Sequence, residues 1–430
     1  MTGSALTFEV FARSKQSGAR LGRVHTPHGV FDTPAFMPVG TQGTIKGLFP
    51  WEVQRTESQI ILGNTYHLML RPGPDLVEEF GGLHRFSGWP GPMLTDSGGY
   101  QAYSLSDINR IDEDAVTFTS HIDGSSISLS PERAIEVQNK LGADIIMALD
   151  DCPPSVDPAT MNQARLRIEA QKTKASKRGY DHAKRLVEAN ERTVRWLERC
   201  KAAHARPDEQ ALFGIVQGGT DLDRRSQSAE QVCNIDLPGY AVGGVAVGEG
   251  FEDILRVVGH TAPLLPAEKP RYLMGVGYER DIYHAVRAGV DMFDCVLPTR
   301  NGRNANAFTA RGQMRLKNAR FADDPYPVDE SYAAELGFDD PASVRADQIQ
   351  AYLREHPEQG PSLGIFSRGY IRHLFQASEM LGPLILSLHN VRYFQRLMFA
   401  IRAAIRDDAW PALEERYPVL GWTESAPPRV

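Results

Sequence analysis

The sequence predicts an α/β protein, a (β/α)8 TIM barrel with inserted helical segments and a C-terminal helical subdomain. Short apolar runs recur along the chain, and stretches with a helical or loop-rich pattern separate them. Several runs, such as IIMAL and YAVGG, are apolar on both faces. That pattern is typical of parallel strands that helices cover on both sides. Because strand and helix alternate eight times, a closed barrel is the expected arrangement.

The strand pattern occurs in eight segments of the chain. They are residues 34–39, 59–63, 92–95, 144–149, 212–217, 240–244, 272–275 and 291–295. Amphipathic stretches between them predict the crossover helices, for example Pro131–Leu141 after a Ser130 cap, and residues 249–260.

Three regions exceed a minimal barrel. Residues 162–205 form a long, charge-rich stretch that predicts a helix on the outside. Residues 322–363 mix Asp, Pro and Gly with an amphipathic helix around 344–355, and we expect them to leave the barrel. Residues 367–405 have the apolar spacing of two packed helices. We therefore expect a catalytic barrel over residues 1–320, a divergent segment over 321–365, and C-terminal helices completing the barrel over 366–430.

Composition narrows the class of protein. The 430 residues carry 47 basic and 54 acidic side chains, a net charge of −7, so the overall charge does not indicate nucleic-acid binding. The cysteines lie far apart and form neither a disulfide framework nor a CxxC metal motif; they are Cys152, Cys200, Cys233 and Cys295. The first residues lack the apolar core of a signal peptide, and no run approaches the ~20 apolar residues of a membrane span. We expect a cytoplasmic protein without a membrane partner.

Polar residues follow the predicted strands at their carboxyl ends, where barrel enzymes place their active sites. They are Asp96, Asp150, Gln217, Gly243, Gly244 and Asp294. Taken singly, each Asp is also explained as a helix cap or a loop hydrogen-bonder. Displacement at a sugar carbon requires two carboxylates with different roles, one nucleophile and one proton carrier. A third carboxylate and an amide suit the hydrogen-bonding edge of a purine.

A basic segment follows Asp294. Residues 299–320 contain six basic side chains and no acid: Arg300, Arg303, Arg311, Arg315, Lys317 and Arg320. The Asn and Gly residues between them favour a loop that follows a nucleic-acid backbone. A solvated basic hairpin is the alternative.

Six motifs resemble those of the tRNA-guanine transglycosylases. In order they are LGNTYHLMLRPG, MLTDSGGYQ, ALFGIVQGG, GYAVGGVAVGEG, YLMGVG and MFDCVLPTRNGRNANAFT. The likeness covers residues 7–320 and resumes over 366–405. It implies a barrel enzyme that exchanges guanine at the anticodon wobble position of tRNA for a 7-deazaguanine base of the preQ1 type, on the route to queuosine, through a covalent ribosyl-Asp intermediate.

The resemblance also implies roles for individual residues. Asp294 would be the nucleophile and Asp96 the proton acceptor and donor. The base would be bound by Ser97, Gly98, Gly99, Tyr100, Asp150, Gln217, Gly243, Gly244 and Met274, with Tyr100 and Met274 on its two faces. RNA would be bound by Gly275, Val276, Gly277, Tyr278, Glu279, Arg280, Thr299, Arg300, Asn301, Gly302 and Arg303. Cys152 and Val247 match the bacterial pattern, in which the pocket fits preQ1 and not the bulkier queuine.

One departure from the family concerns a metal. The family usually carries CxCxxC shortly after an ARF segment and a His in a later HN pair, which together bind structural Zn2+. After Ala319–Phe321 this chain has no such cysteines, and His389 is the one retained ligand. We therefore predict no metal and no cofactor. Apolar residues of the divergent segment would pack in the metal's place, among them Leu336, Phe338, Val344, Ile349 and Leu353.

Two other functions stay open at this point. The same exchange could act on DNA or another polynucleotide, because the altered metal region lies near the family's tRNA and dimer contacts. Alternatively, the chain could be a non-catalytic tRNA-binding partner subunit, although such a subunit would be expected to lack the nucleophile. The resemblance also implies a homodimer, which the sequence does not establish.

Overall fold

A computed structural model of the protein describes residues 5–101, 108–157, 181–246 and 249–423. The chain begins with an antiparallel sheet of three strands, β1 (Thr7–Arg13), β2 (Arg20–Thr26) and β3 (Gly29–Thr33). The sequence analysis did not identify this sheet. The sheet contributes Val24 and Phe31 to the apolar cluster that fills the barrel.

Eight parallel strands form a closed barrel, as predicted. They are β4 (Ala35–Gly40), β5 (Ile61–Gly63), β6 (Met93–Thr95), β10 (Ile145–Met147), β11 (Ala211–Val216), β12 (Gly239–Val242), β13 (Arg271–Leu273) and β14 (Met292–Cys295). Each lies in one of the eight predicted segments, apart from single residues at some ends. Around the barrel the order is β10-β11-β12-β13-β14-β4-β5-β6. The carboxyl ends of all eight strands therefore share one rim.

The remaining strands form two small sheets. β7 (Ile108–Ile111), β8 (Val116–Thr119) and β9 (Ser126–Leu129) form an antiparallel sheet between β6 and β10 of the chain. β15 (Asn306–Thr309) and β16 (Gly312–Arg315) form a hairpin after the last barrel strand.

Helices surround the barrel and build the C-terminal region. In the described residues they are α1 (Pro50–Arg55), α2 (Thr65–Leu70), α3 (Pro74–Glu79), α4 (Leu83–Ser87), α5 (Pro131–Leu141), α6 (His182–Ala203), α7 (Leu222–Cys233), α8 (Phe251–Thr261), α9 (Glu279–Arg287), α10 (Leu297–Arg303), α11 (Ser331–Glu335), α12 (Ala346–Glu355), α13 (Arg368–Gln376), α14 (Leu381–Asp407) and α15 (Trp410–Arg416). None of them combines the length and apolar character that crossing a bilayer requires.

Local sequence signals set the limits of the crossover helices. The Ser130 hydroxyl accepts a hydrogen bond from the Arg133 amide at 3.2 Å and caps α5, which has Pro131 at its first position. The helix ends at Gly142, whose φ of 74° is the left-handed conformation that glycine adopts without strain. The Asp181 side chain caps α6 in the same way.

Two sequence expectations need correction. The described part of 162–205 is mostly α6, so the predicted helix is confirmed there, but it is the barrel's own crossover helix between β10 and β11 and not an addition to the barrel; its Trp196 and Leu197 are fully buried. The rest of that stretch, residues 162–180, lies outside the described residues. The loop predicted over 299–320 is wrong: its first part lies in α10 and its middle forms the β15–β16 hairpin. At Gly302, α10 packs directly on α14, where a Cβ would stand 2.6 Å from the Ser387 amide nitrogen.

Candidate active site

Asp294 is the residue before the last in β14, on the rim of the barrel, and it is half-buried. Its Oδ1 accepts two hydrogen bonds, from the Tyr272 hydroxyl at 2.5 Å and from the Gly275 amide at 2.7 Å. Burial raises the pKa of Asp294, and the two donors oppose that rise by stabilising the carboxylate. Both hydrogen bonds use the same oxygen, so the arrangement holds Oδ1 in place and leaves Oδ2 as the oxygen available for chemistry.

Asp96 follows β6 on the same rim and is 8% exposed. Its Oδ2 accepts from the Asn64 amide side chain at 2.5 Å, and its Oδ1 from the Thr65 backbone amide at 2.9 Å. Burial raises the pKa of Asp96 to about 7, and the nearby charge of Asp294 adds to the rise. A carboxyl with a pKa near neutrality can give and take a proton under ordinary conditions.

Asp150 and Gln217 follow the neighbouring strands β10 and β11. The Gln217 side-chain amide donates to Asp150 Oδ2 at 2.5 Å, and both residues are buried. Burial raises the pKa of Asp150 to about 7, while the Gln217 hydrogen bond opposes the rise. The pair presents a carboxylate beside an amide, which is the donor and acceptor set that the edge of a guanine requires.

Gly243 and Gly244 follow β12 and lie against Gln217. A Cβ on Gly244 would stand 2.1 Å from Gln217 Oε1, and the residue has a φ of 59°, so only glycine fits there. Arg225 on α7 binds this turn from behind. Its fully buried guanidinium donates to the carbonyl oxygens of Val216, Gly219, Gly243 and Gly244.

The Ser97 to Tyr100 turn closes the next side of the rim. Ser97 is buried, and its hydroxyl accepts from the Gly99 amide at 3.3 Å. A Cβ on Gly98, whose φ is 80°, would stand 2.9 Å from the Tyr66 amide, so the turn lies directly on α2. Tyr100 is 40% exposed. It follows β6, whereas Met274 follows β13, and these strands lie opposite each other in the barrel.

A second buried carboxylate supports the base-binding strand end. Asp151, next to Asp150, accepts from Arg185 Nη2 at 2.5 Å and from Arg192 Nη1 at 2.5 Å. Its own amide donates to the Thr193 hydroxyl. All three partners lie on α6, so this helix fixes the backbone that carries Asp150.

The predicted RNA loop, residues 275–280, is exposed at one end and buried at the other. Gly275 is exposed and Tyr278 half-buried, while the remaining members are buried: Val276, Gly277, Glu279 and Arg280. The Arg280 guanidinium lies between the rings of Phe251 and Trp422, 3.4 Å and 4.3 Å from their centroids. The side chains of Glu279 and Arg280 therefore face the protein, which leaves little of them accessible to RNA, and their contact with RNA stays a prediction.

The other predicted RNA residues lie on α10, directly after Asp294. Arg300 is exposed, and Asn301 and Arg303 are half-buried. Thr299 and Gly302 are buried, and α10 packs on α14 at Gly302, while their contact with RNA stays a prediction. Two arginines, Arg300 and Arg303, therefore have accessible surface on the helix that follows Asp294 in the chain.

The zinc ligands that the family usually carries are not assembled around His389. This side chain is 2% exposed, and both ring nitrogens already have hydrogen-bond partners, the Tyr332 hydroxyl and the Phe308 carbonyl. Within the described ranges, one group of three His, Cys, Asp or Glu side chains lies close enough to hold a metal ion. It comprises His28, His84 and Asp144, before β10 and at the opposite end of the barrel from the candidate active site.

The sequence analysis missed several residues of the site. Tyr272 belongs to a strand and was assigned only to the apolar pattern, and Asn64 and Thr65 were quoted within a motif without a role. Arg225 stands in the polar run DLDRRSQS, where no pattern distinguishes a buried guanidinium from a solvated one. Polar residues that follow predicted strands indicate which groups lie on the rim. They do not indicate which other residues support those groups.

Comparison with known proteins identifies the family. Residues 15–336 and 362–418 match the family described as Queuine tRNA-ribosyltransferase. The chain is 48% identical over 405 residues to a Queuine tRNA-ribosyltransferase of Acetivibrio thermocellus, an alignment that covers 94% of this chain and 95% of the relative. It is 51% identical over 401 residues to a Queuine tRNA-ribosyltransferase of Symbiobacterium thermophilum, an alignment that covers 93% of this chain and 88% of the relative. For one of Staphylococcus aureus the identity is 45% over 413 residues, covering 96% of each. The resemblance inferred from the motifs is confirmed, and the chain belongs to the queuine tRNA-ribosyltransferase family, the tRNA-guanine transglycosylases.

Proposed function

We propose that this chain is a pentosyltransferase that exchanges guanine at the wobble position of tRNA for a 7-deazaguanine base. One observation carries the proposal: Asp294 has one oxygen held by Tyr272 and Gly275, while no described residue hydrogen-bonds to the other, and it lies on the same rim as the protonatable Asp96. Family membership supports the same reaction. The exchange is a base swap without redox change, so the proposed mechanism uses neither an organic cofactor nor a metal.

In the first half-reaction Asp294 Oδ2 attacks C1′ of the target ribose. The C1′–N9 bond of guanine breaks as the ester bond forms, and the leaving base takes up a proton from Asp96. The hydrogen bonds from Tyr272 and Gly275 orient the carboxylate, so that little reorganisation is needed at the moment of attack.

The second half-reaction reverses these roles. The Asp96 carboxylate removes the N9 proton of the incoming base, and N9 attacks C1′ while the ester bond to Asp294 breaks. Both carboxylates return to their starting protonation states. Because the same pocket serves both steps, guanine leaves before the 7-deazaguanine enters.

Base recognition is assigned to the groups after β10, β11 and β12. The Asp150 carboxylate would accept from the purine N1–H and exocyclic amino group, while Gln217 and the Gly244 amide would donate to O6. The Ser97, Gly98 and Gly99 turn would line the pocket, and Gly243 would leave room at its edge. Tyr100 and Met274, on opposite strands, would cover the two faces of the ring.

The proposed RNA contacts rest on the exposed positions. Arg300, Asn301 and Arg303 on α10 would bind the nucleotides flanking the target, with Gly275 and Tyr278 on the facing loop. The two arginines lie on the helix that follows Asp294 in the chain, and their charge suits the phosphates that flank the reacting ribose. In this proposal the buried residues of the two predicted RNA-binding segments support the exposed positions without touching RNA. They are Val276, Gly277, Glu279, Arg280, Thr299 and Gly302.

Guanine affinity is expected to fall as the pH drops below about 7, because burial raises the pKa of Asp150 to about 7. The ionised carboxylate accepts two N–H groups of the purine, whereas the protonated form presents a hydroxyl against them. If only the ionised form binds, the Kd rises about tenfold for each pH unit below that pKa. Calorimetric titration with guanine from about pH 5.5 to about pH 8.5 measures this.

Two variants test whether Asp150 causes the pH dependence of guanine affinity. Asp150→Asn should bind guanine weakly at every pH and lose the slope. Asp96→Asn is the matched control, because the pKa of Asp96 is also raised to about 7, and it should keep the wild-type slope. A wild-type Kd that stays constant across this range would refute the assigned role of Asp150.

Incorporation of labelled guanine tests the function itself. Bulk tRNA and duplex DNA are incubated separately with the protein and labelled guanine, and label in tRNA is the expected result. Label confined to DNA would favour the alternative that the same exchange acts on another polynucleotide. The divergent segment in place of the family's metal site is the reason for considering that alternative. Label in neither, with tRNA still bound, would favour a non-catalytic tRNA-binding subunit.

The incoming base is proposed to be preQ1. Cys152 is buried beside Asp150, as the bacterial pattern implies, while Val247 lies outside the described residues. Mass spectrometry of nucleosides from tRNA treated with preQ1 or queuine distinguishes the two bases. A homodimer and a cytoplasmic location remain predictions that follow from the family and from the tRNA substrate.

A further inference from the structure

One histidine joins the divergent segment to the rest of the protein. His389 on α14 has its Nδ1 2.9 Å from the Tyr332 hydroxyl of α11, and its Nε2 2.9 Å from the Phe308 carbonyl of β15. A carbonyl oxygen can only accept, so Nε2 carries the proton and donates. The Nδ1 lone pair then accepts from the Tyr332 hydroxyl. Burial lowers the pKa of His389 and keeps the ring neutral, in agreement with this arrangement.

The residues around His389 do not fit the tetrahedral zinc site that the family carries. A zinc ion would need the Nδ1 lone pair that accepts from Tyr332, because Nε2 is protonated and bound to the carbonyl. It would also need thiolates, and the four cysteines all belong to the barrel and its crossover helices. They are Cys152 after β10, Cys200 on α6, Cys233 on α7 and Cys295 on β14.

A small apolar cluster surrounds Tyr332. Its buried members are Tyr332, Ala333, Val344 and Ile349, and its half-buried members are Leu336, Phe338, Leu353, Leu363 and Ile365. All five residues expected from the sequence to pack here belong to it. The packing is close, since a Cβ on Gly364 would stand 2.7 Å from the Tyr332 Cβ. The segment therefore has a core of its own.

Charged contacts fix α11 to α14 on the outer side of this cluster. Glu335 pairs with both Arg392 and Arg396 of α14. The Arg392 guanidinium also lies 4.5 Å from the centroid of the Tyr332 ring. One face of α14 thus holds Tyr332 by its hydroxyl and by its ring.

The next residue of α14 holds the proposed RNA helix. The Asn390 side chain accepts from the Phe308 amide at 2.9 Å and donates to the carbonyl oxygens of Pro298 and Asn306 at 2.9 and 3.0 Å. Pro298 lies in α10. His389 and Asn390 therefore connect the divergent segment, the β15–β16 hairpin and α10 at one turn of α14.

We infer that this chain folds without a structural zinc ion, and that the Tyr332–His389 hydrogen bond and its apolar cluster replace the metal in fastening the divergent segment, residues 321–365, to α14. The inference rests on the proposed function only in the role of α10 in binding RNA. Metal content and thermal stability test it independently of any activity.

Metal analysis is the first test. The full-length chain is purified without a metal-affinity step, passed through metal-free buffer and measured for zinc by mass spectrometry. Far less than one zinc per chain, and a Tm unaffected by a chelator, are expected. His28→Ala serves as the matched control, because it disrupts the His28, His84 and Asp144 group. If the wild-type chain does hold zinc, loss of that zinc only in His28→Ala would support the inference. Zinc that is retained in His28→Ala but lost in His389→Ala would overturn it.

Tyr332→Phe tests the replacement directly. The change keeps the ring but leaves the buried Nδ1 of His389 without a donor, so we expect a Tm lower by about 2 to 6 °C. Tyr352→Phe is the control, since Tyr352 lies on α12 of the same segment and its ring, not its hydroxyl, makes the described contacts. It should change the Tm by less than about 1 °C. Equal Tm values for the two variants would overturn the role given to the hydrogen bond.

Discussion

Asp294→Asn is expected to abolish exchange, with a loss of about 10⁴-fold or more in kcat. The amide has the size of the carboxylate and can still accept from Tyr272 and Gly275 through its oxygen. Its second position is an NH2 group that cannot attack C1′, so no ester forms. Exchange of labelled guanine into tRNA, measured with excess protein, gives the rate.

Trapping the intermediate separates this explanation from a folding defect. Wild-type protein and tRNA, mixed without a free base and denatured quickly, should give a covalent complex on a denaturing gel. Asp294→Asn should give none while binding tRNA with an unchanged Kd and melting at an unchanged Tm. Equal amounts of covalent complex in both proteins would show that another residue is the nucleophile.

Asp96→Asn is expected to lower kcat by about 10²- to 10⁴-fold, the usual contribution of a positioned acid or base. The pKa of Asp96 is raised to about 7 because the side chain is buried and faces the charge of Asp294. The carboxyl therefore holds a proton to give to the departing guanine and can take one from the entering base. An amide can do neither.

The two half-reactions should respond differently to this change. Formation of the covalent complex should slow, and a complex that does form should persist, because the incoming base is no longer deprotonated. Asn64→Ala is a useful companion, since it removes one donor to Asp96 but leaves the carboxyl, and a smaller loss is expected. Full activity of Asp96→Asn would show that the proton carrier lies elsewhere.

The barrel could be predicted from the sequence because its signals are local. Both faces of each barrel strand are covered, so the apolar runs stand out, and the polar residue that follows each run marks the rim. The β1–β3 sheet has no such signal: β1 alternates between exposed and half-buried residues and reads like any polar surface segment. Its place depends on pairing and on contacts to the barrel, which the sequence does not display.

The sequence predicts candidate reactive groups for the site, but it does not predict the residues that support them. Asp96, Asp150 and Asp294 follow strands, whereas Arg225 reaches the rim from the middle of a polar helix. Glu279 and Arg280 were expected to contact RNA because the family resemblance implies an RNA-contacting loop over residues 275–280. Here the Phe251 and Trp422 rings, one of them near the end of the chain, enclose the guanidinium. Such contacts between distant segments have no pattern in the local sequence.

The position of the β1–β3 sheet has a kinetic consequence. Its residues Val24 and Phe31 belong to the apolar cluster inside the barrel, so under the proposed function bases would reach Asp294 from the rim. Guanine would then leave, and the incoming base would enter, through the same opening of the pocket, while the tRNA stays attached to the protein. Excess guanine should consequently compete with the incoming base for the ribosyl enzyme and return it to the starting tRNA, which makes removal of guanine a driving force for the net reaction.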